Sequence, residues 1–138
     1  MIGILVVTHG NLGRELVATV AMITGPQERM EGVAIGQGDD MATAVRSIED
    51  GHARTDAGDG VIIFTDLLGG TASNVSLTLL NLPGTEVISG VNLPMLLKAA
   101  SVRGRMGLQE TSEAALRSGR EGITAATLLL EKRAGDAP

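Results

Sequence analysis

The sequence predicts an α/β fold: a small doubly wound, mainly parallel sheet with helices on both faces. Three observations predict it. Short apolar runs rich in β-branched residues alternate with segments of helical periodicity along the chain, the pattern of βαβ units. The runs Ile2–Val7 and Val61–Thr65 are nearly continuous rather than alternating, as in strands buried on both faces. Right-handed crossovers then leave few topologies. No internal repeat, low-complexity tract or Pro/Ser linker interrupts the 138 residues, so residues 1–138 read as one domain ending in a frayed tail from about residue 132.

The first strand, Ile2–Val7, ends at Thr8-His9-Gly10. Leu12, Leu16, Val17, Val20 and Ile23 have helical spacing, and Thr24-Gly25-Pro26 stops that helix. Val33–Ile35 is a second short strand. Asp39 or Asp40 caps the next helix, whose apolar face is Met41, Ala44, Val45 and Ile48. Gly58–Gly60 punctuates before the third strand, Val61–Thr65. After Gly69-Gly70, Thr71 caps a helix running to about Leu80. Pro83-Gly84 turns into a fourth strand, Glu86–Ser89, and Leu93–Ser101 and Ser112–Ser118 are helical. Ile123–Leu130 fits helix or strand equally, and Gly135–Pro138 closes the tail.

Composition narrows the function. Hydrophobic residues make up 43 % and charged residues 20 %, Phe64 is the lone aromatic, and there is no cysteine. Disulfides and thiolate metal sites are thereby excluded, and a reducing cytoplasm is the expected setting. The apolar runs fall well short of the roughly 20 residues that span a bilayer. Met1 leads directly into a strand-like run with no basic stretch, so no signal peptide is expected. A net charge of −5 without a Lys/Arg stripe argues against nucleic acid.

Open parallel sheets bind ligands beyond the carboxyl ends of their strands, where the strand order reverses. Thr8-His9-Gly10 and Asp66-Leu67-Leu68-Gly69-Gly70-Thr71 both lie at such ends. If the first and third strands are neighbours, about 5 Å apart, Asp66 reaches His9. A carboxylate accepting from Nδ1–H leaves Nε2 unprotonated and nucleophilic, and it stabilises the charge that grows on the ring during attack on phosphorus. Gly69-Gly70 lets backbone N–H groups turn toward a phosphoryl group, the helix start at Thr71 adds its positive end and hydroxyl, and Gly10 leaves room beside His9. Taken singly, each is equally a structural feature: a satisfied histidine, a capping aspartate, a plain Gly-Gly connection. Together at one edge they point to anion or phosphate chemistry. His52, in a polar stretch after Asp50-Gly51, reads as a solvated loop residue. His9 and Asp66 lack a third metal ligand. Gly36-Gln37-Gly38 lacks the full dinucleotide glycine pattern. Asn92 reads as a turn residue.

At these residues the chain resembles the IIA domain of the mannose family of the bacterial phosphoenolpyruvate-dependent sugar phosphotransferase system. Ile4-Leu5-Val6-Val7-Thr8-His9-Gly10 is similar to the family's strand ending in Thr-His-Gly, whose histidine is phosphorylated. Phe64-Thr65-Asp66-Leu67-Leu68-Gly69-Gly70-Thr71 is similar to its Asp-x-x-Gly-Gly-Ser/Thr segment, whose aspartate bonds that histidine. Gly90-Val91-Asn92-Leu93-Pro94-Met95-Leu96-Leu97 and Gly119-Arg120-Glu121-Gly122-Ile123 match further segments in register. The resemblance implies strand order 2-1-3-4 and a phosphotransferase role. The phosphoryl group is taken on His9 from a histidine phosphocarrier protein and passed to a IIB component that serves a sugar permease, with no cofactor or metal. It also implies a homodimer with an exchanged C-terminal strand, for which Ile123–Leu130 is the one candidate. Two departures stand out: Leu67 replaces a frequent hydroxyl residue, and the sequence stops after the IIA portion, so the acceptor is expected to be a separate protein. A phosphocarrier for a dihydroxyacetone kinase, a regulatory module that signals through His9 phosphorylation, and a nucleotide-binding α/β domain are the other readings.

Overall fold

Strands β1 (Gly3–His9), β2 (Met30–Ile35), β3 (Val61–Thr65) and β4 (Thr85–Ser89) form one sheet in the order β2-β1-β3-β4, and every neighbouring pair is parallel. This computed structural model describes residues 1–67, 69 and 71–135, with residues 71–73 described by their backbone. Helices α1 (Leu12–Thr24), α2 (Met41–Thr55), α3 (Thr71–Thr78), α4 (Leu93–Val102) and α5 (Leu108–Glu121) pack around it, with a 3₁₀ turn at Leu79–Asn81, and α6 (Ala126–Gly135) follows with no side chain buried.

Alternation along the buried strands builds two cores, one on each face. Ile2, Ile4, Val6, Ile62, Phe64 and Ile88 point to the face covered by α1, α4 and α5, where they meet Val20, Leu96, Ala99 and Ala115. Leu5, Val7, Val33, Ile35 and Ile63 point the other way, against Ala44 and Ile48 of α2 and Val75 of α3. Apolar area on both faces of β1 and β3 leaves the water, which is why these strands carry no polar stripe. Crossovers through α1 and α2 place β1 centrally. The chain leaves β1 toward one face through α1 and leaves β3 toward the other through α3, so the strand order reverses between these two strands.

The expected order 2-1-3-4 is observed, and several boundaries move. β1 continues through His9, because Thr8 and His9 still pair with Ala34 and Ile35 of β2. β2 begins at Met30, although Glu31 and Gly32 break its apolar pattern. Asp40 rather than Asp39 caps α2: Thr43 N–H donates to Asp40 Oδ1 at 2.7 Å, while Asp39 Oδ2 accepts from Gly36 N–H. Thr71 is the first residue of α3 and not the residue before it.

One reading is corrected and one left open is decided. His52 is a buried helical residue and not a solvated loop histidine: α2 extends to Thr55, and Nε2 of His52 lies 2.9 Å from Thr85 Oγ1. The polar stretch that suggested a loop is the outer face of that helix. Ile123–Leu130 is not a strand in this chain, since α6 starts at Ala126 and continues through Gly135. Its Leu, Glu, Lys, Arg and Ala residues are strong helix formers, and it buries none of its side chains.

Candidate active site

His9 is the last residue of β1, and its side chain is 52 % exposed at the carboxyl edge of the sheet. Asp66 follows the last residue of β3 and is only 11 % exposed. Parallel pairing of Val7 with Thr65 sets the two strand ends side by side. Asp66 Oδ2 accepts from the His9 backbone N–H at 3.0 Å and lies 2.8 Å from His9 Nδ1. Its other oxygen, Oδ1, accepts from Leu67 N–H at 3.0 Å.

Burial pushes the Asp66 carboxyl up. The His9 backbone and ring bonds, the charge of His9 and the Leu67 N–H outweigh it, so the group sits below its ordinary 3.8 and is ionised at neutral pH. An ionised carboxylate only accepts hydrogen bonds. In the neutral ring Nδ1 then carries the proton and Nε2 keeps its lone pair. No described residue bonds Nε2.

Gly10 turns the chain away from His9 with φ of +58°, a left-handed conformation that glycine adopts without strain. Its N–H donates to Ile35 C=O at 3.0 Å, and space beside it is open. Gly69 also has a positive φ, +93°, and no neighbour crowds it among the described residues. Gly70 and the side chain of Thr71 lie outside the described residues; the α3 backbone starts at Thr71, after the Asp66 loop. The structure thus brings His9, Asp66 and Gly10 together, with Gly69 in the loop that follows Asp66.

Two supporting residues were missed or undervalued. Thr8 is fully buried, and its hydroxyl accepts from Gly13 N–H at 2.7 Å and donates to His9 C=O at 3.2 Å. Composition gave no signal for it, since a threonine ending a strand is ordinary. Asn92 caps α4 by accepting from Met95 N–H at 3.0 Å, as a turn residue should, and also donates from Nδ2 to Gly119 C=O at 2.9 Å. It thereby ties α4 to α5.

A half-buried, orienting carboxylate beside a half-exposed imidazole at the strand-order reversal suits a nucleophilic histidine. The family model described as PTS system fructose IIA component (EIIA-man) matches residues 3–116. The mannose-specific EIIAB component of Escherichia coli (strain K12) is 30% identical over 139 residues, covering 99% of this chain and 43% of that protein. The chain thus spans less than half the length of such relatives. Among solved structures, phosphotransferase system component EIIA from Streptococcus agalactiae superposes with a TM-score of 0.84 at 27% identity, covering 93% of this chain and 99% of that one. The mannose/sorbose specific IIA subunit from Enterococcus faecalis has the same fold, with a TM-score of 0.79, 24% identity and coverage of 89% and 92%.

Proposed function

Because this chain belongs to the EIIA-man family of phosphotransferase-system IIA components, we propose that it carries a phosphoryl group on His9 Nε2. The group arrives from the phosphohistidine of a small carrier protein and leaves to a IIB component. The observation that carries the reading is the contact of Asp66 Oδ2 with Nδ1, which leaves Nε2 as the nucleophile. In the transfer, the Nε2–P bond forms as the donor's N–P bond breaks, and the donor imidazole leaves neutral. Asp66 balances the positive ring during attack. Backbone N–H groups around Gly69, Gly70 and Thr71 supply donors to the equatorial oxygens. Transfer between two proteins needs an accessible histidine, and the open edge around His9 and Gly10 supports that. A cytoplasmic setting follows from phosphoenolpyruvate as the ultimate donor.

We also propose a homodimer. Beside β4, an edge strand, a groove lined by Val87, Ile88, Leu108 and Leu116 carries Glu86 and Glu113. The C-terminal segment exposes Ile123 and Leu128–Leu130 and ends in Lys132-Arg133. Apolar surface and charge on the two are complementary, which supports seating this segment of one copy against the groove of another.

The test is a phosphotransfer assay. Protein and a His9→Ala variant are incubated with phosphoenolpyruvate, enzyme I and the phosphocarrier protein, then weighed intact at alkaline pH. A gain of one phosphoryl mass, labile in acid and absent from the variant, is expected. Equal labelling of the variant, or none of either with a matched carrier, would sink the reading.

A further inference from the structure

We infer that Thr8 is a positioning residue for His9, an assignment that rests on the phosphoryl-carrier reading above. Three hydrogen bonds fix the backbone around His9. Its N–H goes to Asp66 Oδ2, its C=O accepts from the Thr8 hydroxyl, and the next N–H, that of Gly10, goes to Ile35 C=O on β2. The first comes from the residue that follows β3 and the third from β2. The second alone connects His9 to the helix that follows it.

That connection runs through one oxygen. Thr8 Oγ1 donates to His9 C=O and accepts from Gly13 N–H, one of the free donors at the start of α1. The residue at the usual capping position, Asn11, makes no side-chain cap. A strand residue therefore caps this helix from beneath, and in doing so fixes where α1 begins relative to the end of β1. Thr8 is fully buried, so water cannot replace the hydroxyl if it is removed.

The consequence reaches the ring. The direction of the His9 side chain is set by its Cα and by the turn at Gly10, both held between these bonds. Loosening the His9 carbonyl and the α1 start lets the imidazole leave the line in which Nδ1 meets Asp66 Oδ2. The ring then samples the other tautomer, with its proton on Nε2, and the nucleophile is lost for part of the time. Thr8 touches neither the phosphoryl group nor its donor, so it acts only through His9.

The experiment compares two pairs that differ by the hydroxyl: wild type against Thr8→Val, and Thr8→Ser against Thr8→Ala. For each, nitrogen NMR of the His9 ring reports which nitrogen is protonated, and single-turnover labelling reports the phosphorylation rate. Hydroxyl-bearing proteins are expected to keep a bare Nε2. Their hydroxyl-lacking partners should show averaged ring nitrogens and label about 10-fold more slowly, the effect of a small loss of preorganisation. The second pair decides the matter if valine cannot be accommodated. Unchanged ring signals and rates in Thr8→Val, or a Thr8→Ser protein as slow as Thr8→Ala, overturn the assignment. If wild type itself takes no phosphoryl group, the carrier reading fails, while the ring signals still decide the role of Thr8.

Discussion

One oxygen of Asp66, Oδ2, bonds His9 twice, through the backbone N–H at 3.0 Å and the ring Nδ1 at 2.8 Å. The first bond fixes where the histidine stands and the second fixes its tautomer, so position and chemistry are set by the same atom. The remaining oxygen is held by Leu67 N–H, which keeps the carboxylate plane from rotating away.

Asp66→Asn keeps the shape and removes the charge. Its amide can present N–H to Nδ1 and stabilise the tautomer with a proton on Nε2. Phosphoryl acceptance by His9 is expected to fall about 100-fold or more, as when a histidine's orienting carboxylate is lost elsewhere. Rapid-quench labelling with the phosphorylated carrier measures this. A rate within a factor of about three of wild type, less than 1 kcal/mol in barrier, would remove Asp66 from the mechanism.

The same bonds make stability depend on pH. The folded Asp66 carboxyl titrates below its ordinary 3.8, since its hydrogen bonds outweigh the upward push of burial. A depressed group stabilises the fold above its unfolded value, and that contribution is lost as pH falls through the folded one. Stability should therefore drop as pH falls below about 4. Asp40, whose carboxyl is lowered by its side-chain and backbone bonds with Thr43, behaves alike, so the comparison must be with Asp66→Asn. Urea midpoints of wild type and variant should converge as the pH drops through this window. Midpoints that stay a constant distance apart would show that Asp66 is not the group titrating.

Much of this architecture was legible because its causes are local. The near-continuous runs at β1 and β3 gave strands buried on both faces, and strand-end loops placed His9 and Asp66 on one edge before any contact was known. What escaped was set by tertiary contact. Ser112–Ser118 marked only the middle of α5, which runs over Leu108–Glu121. Its outer turns carry a single large apolar residue, Leu108, and their buried positions, Thr111 and Gly119, give no apolar signal. The burial of His52 depends on Thr85, which is 33 residues away. Thr8 was invisible as a cap because its partner, Gly13, lies beyond a turn whose shape depends on Gly10.

Gly32 shows how a residue that weakens a strand pattern serves the fold. A Cβ there would lie 2.6 Å from both Cα and N of Arg14 and 2.8 Å from the carbonyl carbon of Gly13. These are backbone atoms of the first turn of α1 and cannot rotate aside. Gly32→Ala should lift that turn from β2 and cost about 3 kcal/mol. Because Gly13 donates to Thr8 beside His9, phosphoryl acceptance should slow as well. Gly38→Ala, with nothing near its Cβ and no positive φ, serves as the neutral control. Equal melting temperatures for the two variants would contradict the close approach.

The proposed dimer makes a prediction of its own. Leu128→Glu and Leu130→Glu put charge on side chains that are 62% and 63% exposed in the single chain. They should leave the monomer fold intact and shift the mass seen by light scattering from two chains to one. Ring signals of His9 should not change. A single-chain mass for wild type, or a dimer indifferent to both substitutions, would dismiss the groove beside β4 as the contact.

At the opposite edge of the sheet, Arg103 is buried and donates to the backbone carbonyls of Ile2, Glu28 and Arg29 and to Gln27 Oε1. These acceptors cluster where β1 and β2 begin, and Arg29 stands there with φ of +54°, a conformation that non-glycine residues adopt at a cost. One guanidinium thus supplies donors to the Ile2 and Glu28 carbonyls and a second donor to that of Arg29, which already accepts from Ile4 N–H of β1. Arg103→Ala removes every one of these donors and opens a cavity, at about 3 kcal/mol, which corresponds to roughly 10 °C in melting temperature for a chain of this size. Because the site lies at the far end of β1, phosphoryl acceptance measured well below the transition should be unchanged. A loss below about 1 kcal/mol would mean that water takes over these bonds, and a slowed transfer would mean that the two edges of the sheet are mechanically coupled.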